Sequence, residues 1–75
     1  IQYRSDLLGT LEEYLASDCN MNATARAIYA HRHTVAYRLD RIRELTSLDP
    51  QISEDRERLG LGIKAYRILA PALPR

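Results

Sequence analysis

Residues 22–46 read NATARAIYAHRHTVAYRLDRIRELT, and the fold follows from how this stretch divides. Val35, Leu39, Ile42 and Leu45 recur every third or fourth residue, which lines apolar side chains along one helix face and predicts a helix from about Arg32 to Thr46. Upstream, the pattern predicts a shorter helix from about Ala23 to Tyr29, with Ala25, Ile28 and Tyr29 inward, Arg26 outward and Asn22 as N-cap. Its small residues Ala23, Ala25 and Ala27 let another helix axis come close at a steep angle. A short small-residue helix, a tight turn and a longer helix that opens on Arg32 and His33 make the helix-turn-helix arrangement. In that arrangement the second helix enters the major groove of DNA while the first crosses the backbone.

Charge then divides the longer helix. With Arg32 at zero, the apolar stripe centres near about 285° and leaves the side near about 105° to solvent. His33, Tyr37, Asp40 and Glu44 lie on that side, flanked by Ala36 and Arg41, with Arg32 and Arg43 further round one way and Thr34 the other. Glu44 falls about 16 Å beyond His33 along the axis. Phosphate repels carboxylates, so Asp40 and Glu44 must leave the groove and the N-terminal half is the reading end. The same acids also match Arg41 and Arg43 as ion-pair partners on a solvated face.

Each exposed residue carries a functional and a plain reading. Arg32 and His33 reach deepest or are ordinary surface; the Arg32 fork suits a guanine edge. Tyr37 offers a hydroxyl to phosphate and a ring to a thymine methyl, or it packs. Ala36 touches a thymine methyl or serves helix propensity. Arg38 borders the buried stripe, so its head either reaches phosphate or pairs with an acid of another helix. His31 caps the helix or packs in the turn in preference to reading bases. The free N–H groups opening the short helix, near Asn22, Ala23 and Thr24, suit a phosphate. On these readings the candidate DNA contacts are Asn22, Thr24, Arg32, His33, Ala36, Tyr37, Arg38 and Arg41. Many helix-turn-helix proteins place glycine near the position of Tyr29, so Tyr29 takes a positive φ or the turn has another geometry.

Leu7, Leu8, Leu11, Tyr14 and Leu15 predict a first helix from about Asp6 to Ser17, with Ser5 as N-cap and the polar run Ser17 to Asn20 as its end. Ser47 to Ile52 reads as a loop around Asp49-Pro50, and Ser53, Glu54 and Asp55 open a fourth helix that runs to about Ala70. That helix is apolar on two sides: Leu59, Ile63, Tyr66 and Ala70 on one, Leu61, Ala65 and Ile68 on the other. Four covers are open for the second side: the first helix, the tail Pro71 to Arg75, a dimer mate or a preceding domain. Gly60 and Gly62 are expected to permit a close approach. The fold expected is an all-α compact bundle of about four helices, one domain over residues 1–75.

Composition narrows the function. A chain of 75 residues holds one small core and no second lobe around which a catalytic cleft would form. No nucleophile–base pairing, phosphate loop or reasoned carboxylate pair appears, so an enzyme is not expected, nor a cofactor. His31, His33 and Cys19 do not make a metal site, because residues two apart on a helix diverge by about 200°. The net charge is only +1, yet Arg26, Arg32, Arg38, Arg41 and Arg43 face Asp40 alone between residues 26 and 43. All 11 basic residues except Lys64 are arginine. The lone Cys19 excludes an internal disulfide, and no apolar run approaches the roughly 18 residues of a membrane span. A cytoplasmic protein with no membrane contact is expected, and the start at Ile1 reads as a piece of something longer.

The residues resemble the C-terminal DNA-binding domain of the PucR type, named for purine-catabolism regulators and shared with carbohydrate-diacid regulators. The resemblance rests on Leu11, Tyr14 and Leu15, on Thr24-Ala25 and Ile28, and above all on His31-Arg32-His33-Thr34-Val35 followed by Tyr37-Arg38-Leu39; Leu59 and Leu61 also fit. A more distant likeness to the Fis-type domain rests on Asn20, Ala25, Arg32 and Thr34. The resemblance implies a transcription factor, usually an activator, with an effector ligand bound by an upstream domain. It also implies that His31, Arg32, Thr34, Tyr37 and Arg38 contact DNA or support the contact. The chain departs from the family pattern at His33, usually Asn, and at Ser47, usually Gly. The expected partner is double-stranded DNA, read by a homodimer of the full-length protein on half-sites about one helical turn apart. The alternative is a helical interaction or dimerisation module; RNA comes third for want of an aromatic stacking surface.

Overall fold

In the computed structural model, which describes residues 2–69 and side chains from residue 7 onward, the chain forms α1 (Gln2–Ala16), α2 (Met21–Ala27), α3 (Arg32–Thr46) and α4 (Ser53–Leu69). α1 starts earlier than its apolar pattern predicts. Gln2, Tyr3 and Arg4 contain no helix breaker, so Ser5 lies inside the helix and is not its N-cap. At the other end, the Cys19 N–H donates to the Tyr14 carbonyl (2.8 Å) and the Asp18 N–H to the Leu15 carbonyl (3.3 Å). These two bonds are a Schellman motif, and they require Asp18 to adopt a left-handed φ of 54°.

The cap of α2 is Asn20 and not Asn22. Asn20 is extended (φ −92°, ψ 113°), and its Oδ1 accepts the Ala23 N–H at 2.9 Å. The shift brings Met21 into the helix, where it packs against the core, and leaves Asn22 exposed in the first turn.

Leu7, Leu11, Tyr14, Ala25, Val35, Leu39, Ile42 and Leu59 form the core, with Val35 fully buried at its centre. α1, α2 and α3 pack against one another, whereas α4 packs chiefly against α1. Burial of a side chain such as Val35 or Leu39 contributes about 1.5–3 kcal/mol, so the stripe of α3 fixes which of its faces looks outward. Burial raises the Tyr14 hydroxyl pKa above the ordinary 10.0, with the adjacent Cys19 adding to the shift.

Several inward assignments do not hold. Tyr29 is 97% exposed, because α2 ends at Ala27 and the turn swings the ring outward. Leu45 is 58% exposed: α4 lies along α1 and leaves the end of α3 open. An apolar groove of about 670 Å³ results, lined by Leu8, Leu11, Leu45, Leu59 and Ile63 among others.

On α4, Leu59 is buried and Ile63 half-buried, whereas Tyr66 further along the same side and Leu61 and Ile68 on the other are exposed; α1 therefore covers only the part of the first stripe around Leu59 and Ile63. Ala70 and the tail Pro71 to Arg75 lie outside the described residues. Gly60 and Gly62 permit no close approach among the described residues, since nothing lies within 4 Å of a Cβ built at either. Arg67 of α4 pairs with Glu12 of α1.

Candidate nucleic-acid interface

The turn between α2 and α3 is a second Schellman motif. The Ala30 N–H donates to the Ala25 carbonyl (2.9 Å) and the Tyr29 N–H to the Arg26 carbonyl (3.3 Å), with Tyr29 at a left-handed φ of 55°. The sharp reversal points the start of α3 away from the core. His31 is the N-cap: it is extended (φ −76°, ψ 148°), and its Nδ1 accepts the His33 N–H at 3.1 Å. An accepting Nδ1 requires the neutral ring to carry its proton on Nε2, so His31 caps the helix with one nitrogen and offers a donor with the other. The His31 and His33 rings meet edge to face at 4.7 Å. They do not diverge as helical residues two apart would, because His31 lies outside the helix.

Beyond the cap, Arg32, His33, Ala36 and Tyr37 are all exposed, Tyr37 by 61%, and Thr34 is half-buried. Together with the exposed cap His31 they occupy the start and N-terminal half of α3. Three other predicted site residues stand apart from this group. Thr24 is fully buried, its hydroxyl donates to the Asn20 carbonyl at 2.7 Å, and its amide bonds the same carbonyl at 2.9 Å. Arg38 is half-buried and donates from Nη1 to the Thr10 hydroxyl of α1 at 3.3 Å. Arg41 is half-buried and pairs with Glu44 at 2.9 Å.

The electrostatics change along the helix. No carboxylate occurs from Cys19 to Leu39, and among the described residues Arg32 has no carboxylate partner. From Asp40 onward the acids pair locally: Arg41 with Glu44, and Arg43 with Asp40 at 3.7 Å. These exposed pairs contribute about 0–1 kcal/mol each, but they cancel the local positive field. The half of α3 next to the turn therefore keeps an uncompensated positive charge.

Two residues at the site escape a reading by pattern alone. Asn20 competes with Asn22 as cap, and only the bond to Ala23 decides between them. Tyr29 counts as inward if α2 runs through it, and only its left-handed φ turns it out. Among the described residues no group of three His, Cys, Asp or Glu is placed to hold a metal ion, and no helix is long and apolar enough to cross a membrane.

Comparison with known proteins agrees with this geometry. Residues 7–65 match the model of the PucR C-terminal helix-turn-helix domain. The chain is 36% identical over 69 residues to the purine catabolism regulatory protein of Bacillus subtilis, covering 92% of this chain and 13% of that protein. It is 42% identical over 57 residues to the transcriptional activator PmfR of Paenarthrobacter nicotinovorans, covering 76% and 12%. It is 43% identical over 47 residues to the carbohydrate diacid regulator of Escherichia coli, covering 63% and 12%. The chain thus spans about an eighth of the length of these relatives. No solved structure gives a significant match. The match over most of its length means that this chain belongs to the PucR C-terminal helix-turn-helix domain family.

Proposed function

We propose that this chain is the sequence-specific DNA-binding domain of a bacterial transcriptional regulator, with α3 entering the major groove N-terminus first. The family match supports this reading, and one structural observation carries it: an exposed, acid-free surface from His31 to Tyr37 at the capped start of α3. Arg32 takes a guanine edge with its fork, and His33 meets the adjacent base edge. Ala36 and Tyr37 follow one turn on, against a thymine methyl and a phosphate. His31 offers its Nε2 proton to an acceptor on the DNA.

Asn22, exposed at the start of α2, and Arg41, in exchange for Glu44, meet the backbone. Thr34 supports the first turn. Arg38 acts by tying α3 to α1 through its bond to Thr10. Thr24 likewise serves by holding the first turn of α2.

A single module of this size buries little surface, so the full-length protein reads two half-sites as a homodimer. An upstream domain binds the effector. The regulator acts in the cytoplasm, where bacterial DNA lies; relatives named as transcriptional activators support positive regulation and a binding role without catalysis.

The dependence of affinity on salt tests this reading. Binding to duplex DNA should fall steeply and linearly in log–log form as salt rises, because bound phosphates release counterions. An affinity that stays flat or strengthens with salt marks an apolar interaction module instead.

A further inference from the structure

We infer that Tyr29 is a contact to the DNA backbone, its phenol donating to a phosphate oxygen at the groove edge beside the start of α3; this rests on the DNA-binding reading above.

The ring gives the fold nothing visible. Tyr29 is 97% exposed, and both hydrogen bonds of the turn come from the backbone amides of Tyr29 and Ala30, which a glycine at residue 29 would make equally well. The backbone also works against a tyrosine. At φ 55° a side chain crowds its own carbonyl, and only glycine, asparagine and aspartate visit this region readily. A bulky aromatic residue held in a disfavoured conformation, fully in solvent, points to a use outside the fold.

Its surroundings say which use. Tyr29 lies two residues before the His31 cap, so its Cα is within about 7.6 Å of the Cα of His31. Nearby Arg26 and Arg32 are exposed, and no carboxylate occurs from Cys19 to Leu39. A positive field around a neutral donor favours an anionic acceptor over an apolar surface, and on the DNA-binding reading that anion is a backbone phosphate. Arg32 and His33 already occupy the groove, which leaves the turn facing its wall. Tyrosine hydroxyls are common donors to phosphate, and such contacts position a protein without reading sequence.

The test is a fluorescence-anisotropy titration of the 75-residue chain and two variants, Tyr29→Phe and Tyr29→Gly, against a selected duplex and a scrambled one at low salt. Tyr29→Phe should keep its Tm and lose about fivefold in affinity on both duplexes. Tyr29→Gly should gain about 4–8 °C in Tm as the strain is relieved, yet bind both duplexes at least as weakly as Tyr29→Phe. A purely structural residue would not move stability and affinity in opposite directions.

Wild-type affinity in both variants overturns the proposal and leaves the exposed ring to a protein partner. A loss confined to the selected duplex overturns it in favour of a base contact. Failure of the unsubstituted chain to bind either duplex overturns the DNA-binding reading itself, and this contact with it.

Discussion

From Arg32 to Tyr37, α3 exposes Arg32, His33, Ala36 and Tyr37 with no carboxylate among them; from Asp40 to Glu44 the outer side carries Arg41 paired with Glu44 and Arg43 facing Asp40. Both halves rest on one buried stripe, Val35 in the first and Leu39 and Ile42 in the second, so neither is better anchored than the other. What separates them is the order of charges. Periodicity decides which residues of a helix look outward, and the sequence of acids and bases decides which of those can approach a polyanion. The two ends differ in the same sense. The N-terminal end is closed by a histidine whose second nitrogen remains a donor, the C-terminal end by Ser47 in a left-handed conformation at φ 61°.

The contrast can be broken at several points. The largest effect is expected at Arg32: Arg32→Ala should remove about 1–3 kcal/mol of discrimination between the preferred duplex and a scrambled one, measured as the ratio of the two affinities. Next is the cap. His31→Ala should lower stability by about 1 kcal/mol through loss of the bond to the His33 N–H, visible as a lower urea midpoint; His31→Ser, which can cap, should restore it. If stability recovers in the serine variant but affinity does not, the ring is needed for DNA as well as for the helix. The smallest effect lies at the far end. Ser47→Gly should raise stability by about 0.5–1 kcal/mol by removing side-chain strain at a positive φ, with DNA affinity unchanged. A change in affinity there would bring the end of α3 beyond Arg41 into the interface.

Much of this was legible from residue order. The bounds of α3 agree with the reading because independent signals coincide: apolar spacing, a capping residue at His31 and a stop at Ser47. α2 was displaced because Asn20 and Asn22 are equally good caps by type, and the choice turns on which oxygen meets the Ala23 amide. Thr24 reads as surface because it is polar. It is buried because a threonine hydroxyl can satisfy itself on the carbonyl one turn back, here that of Asn20. Arg38 lies at the edge of the stripe, where spacing cannot say which way a long side chain turns; Thr10 of α1 decides it.

Leu45 and the outer stripe of α4 show a different limit. Their apolar character is plain in the sequence, but whether a neighbour covers them depends on how α4 crosses the bundle. Of the two departures from the pattern that the chain resembles, Ser47 lies at the far end of α3, whereas His33 lies at the reading end, where its imidazole presents a different donor and acceptor set to a base edge than asparagine does.

The most direct test of the central claim is a parallel anisotropy titration of the unsubstituted chain, Arg32→Ala and Arg41→Ala on a duplex selected from random DNA and on its scrambled counterpart. The two halves of α3 should fail differently. Arg32→Ala should bring the two affinities together, while Arg41→Ala should lower both by a common factor and leave their ratio intact. Equal and undiminished binding by both variants would contradict the assignment of α3 as the reading helix.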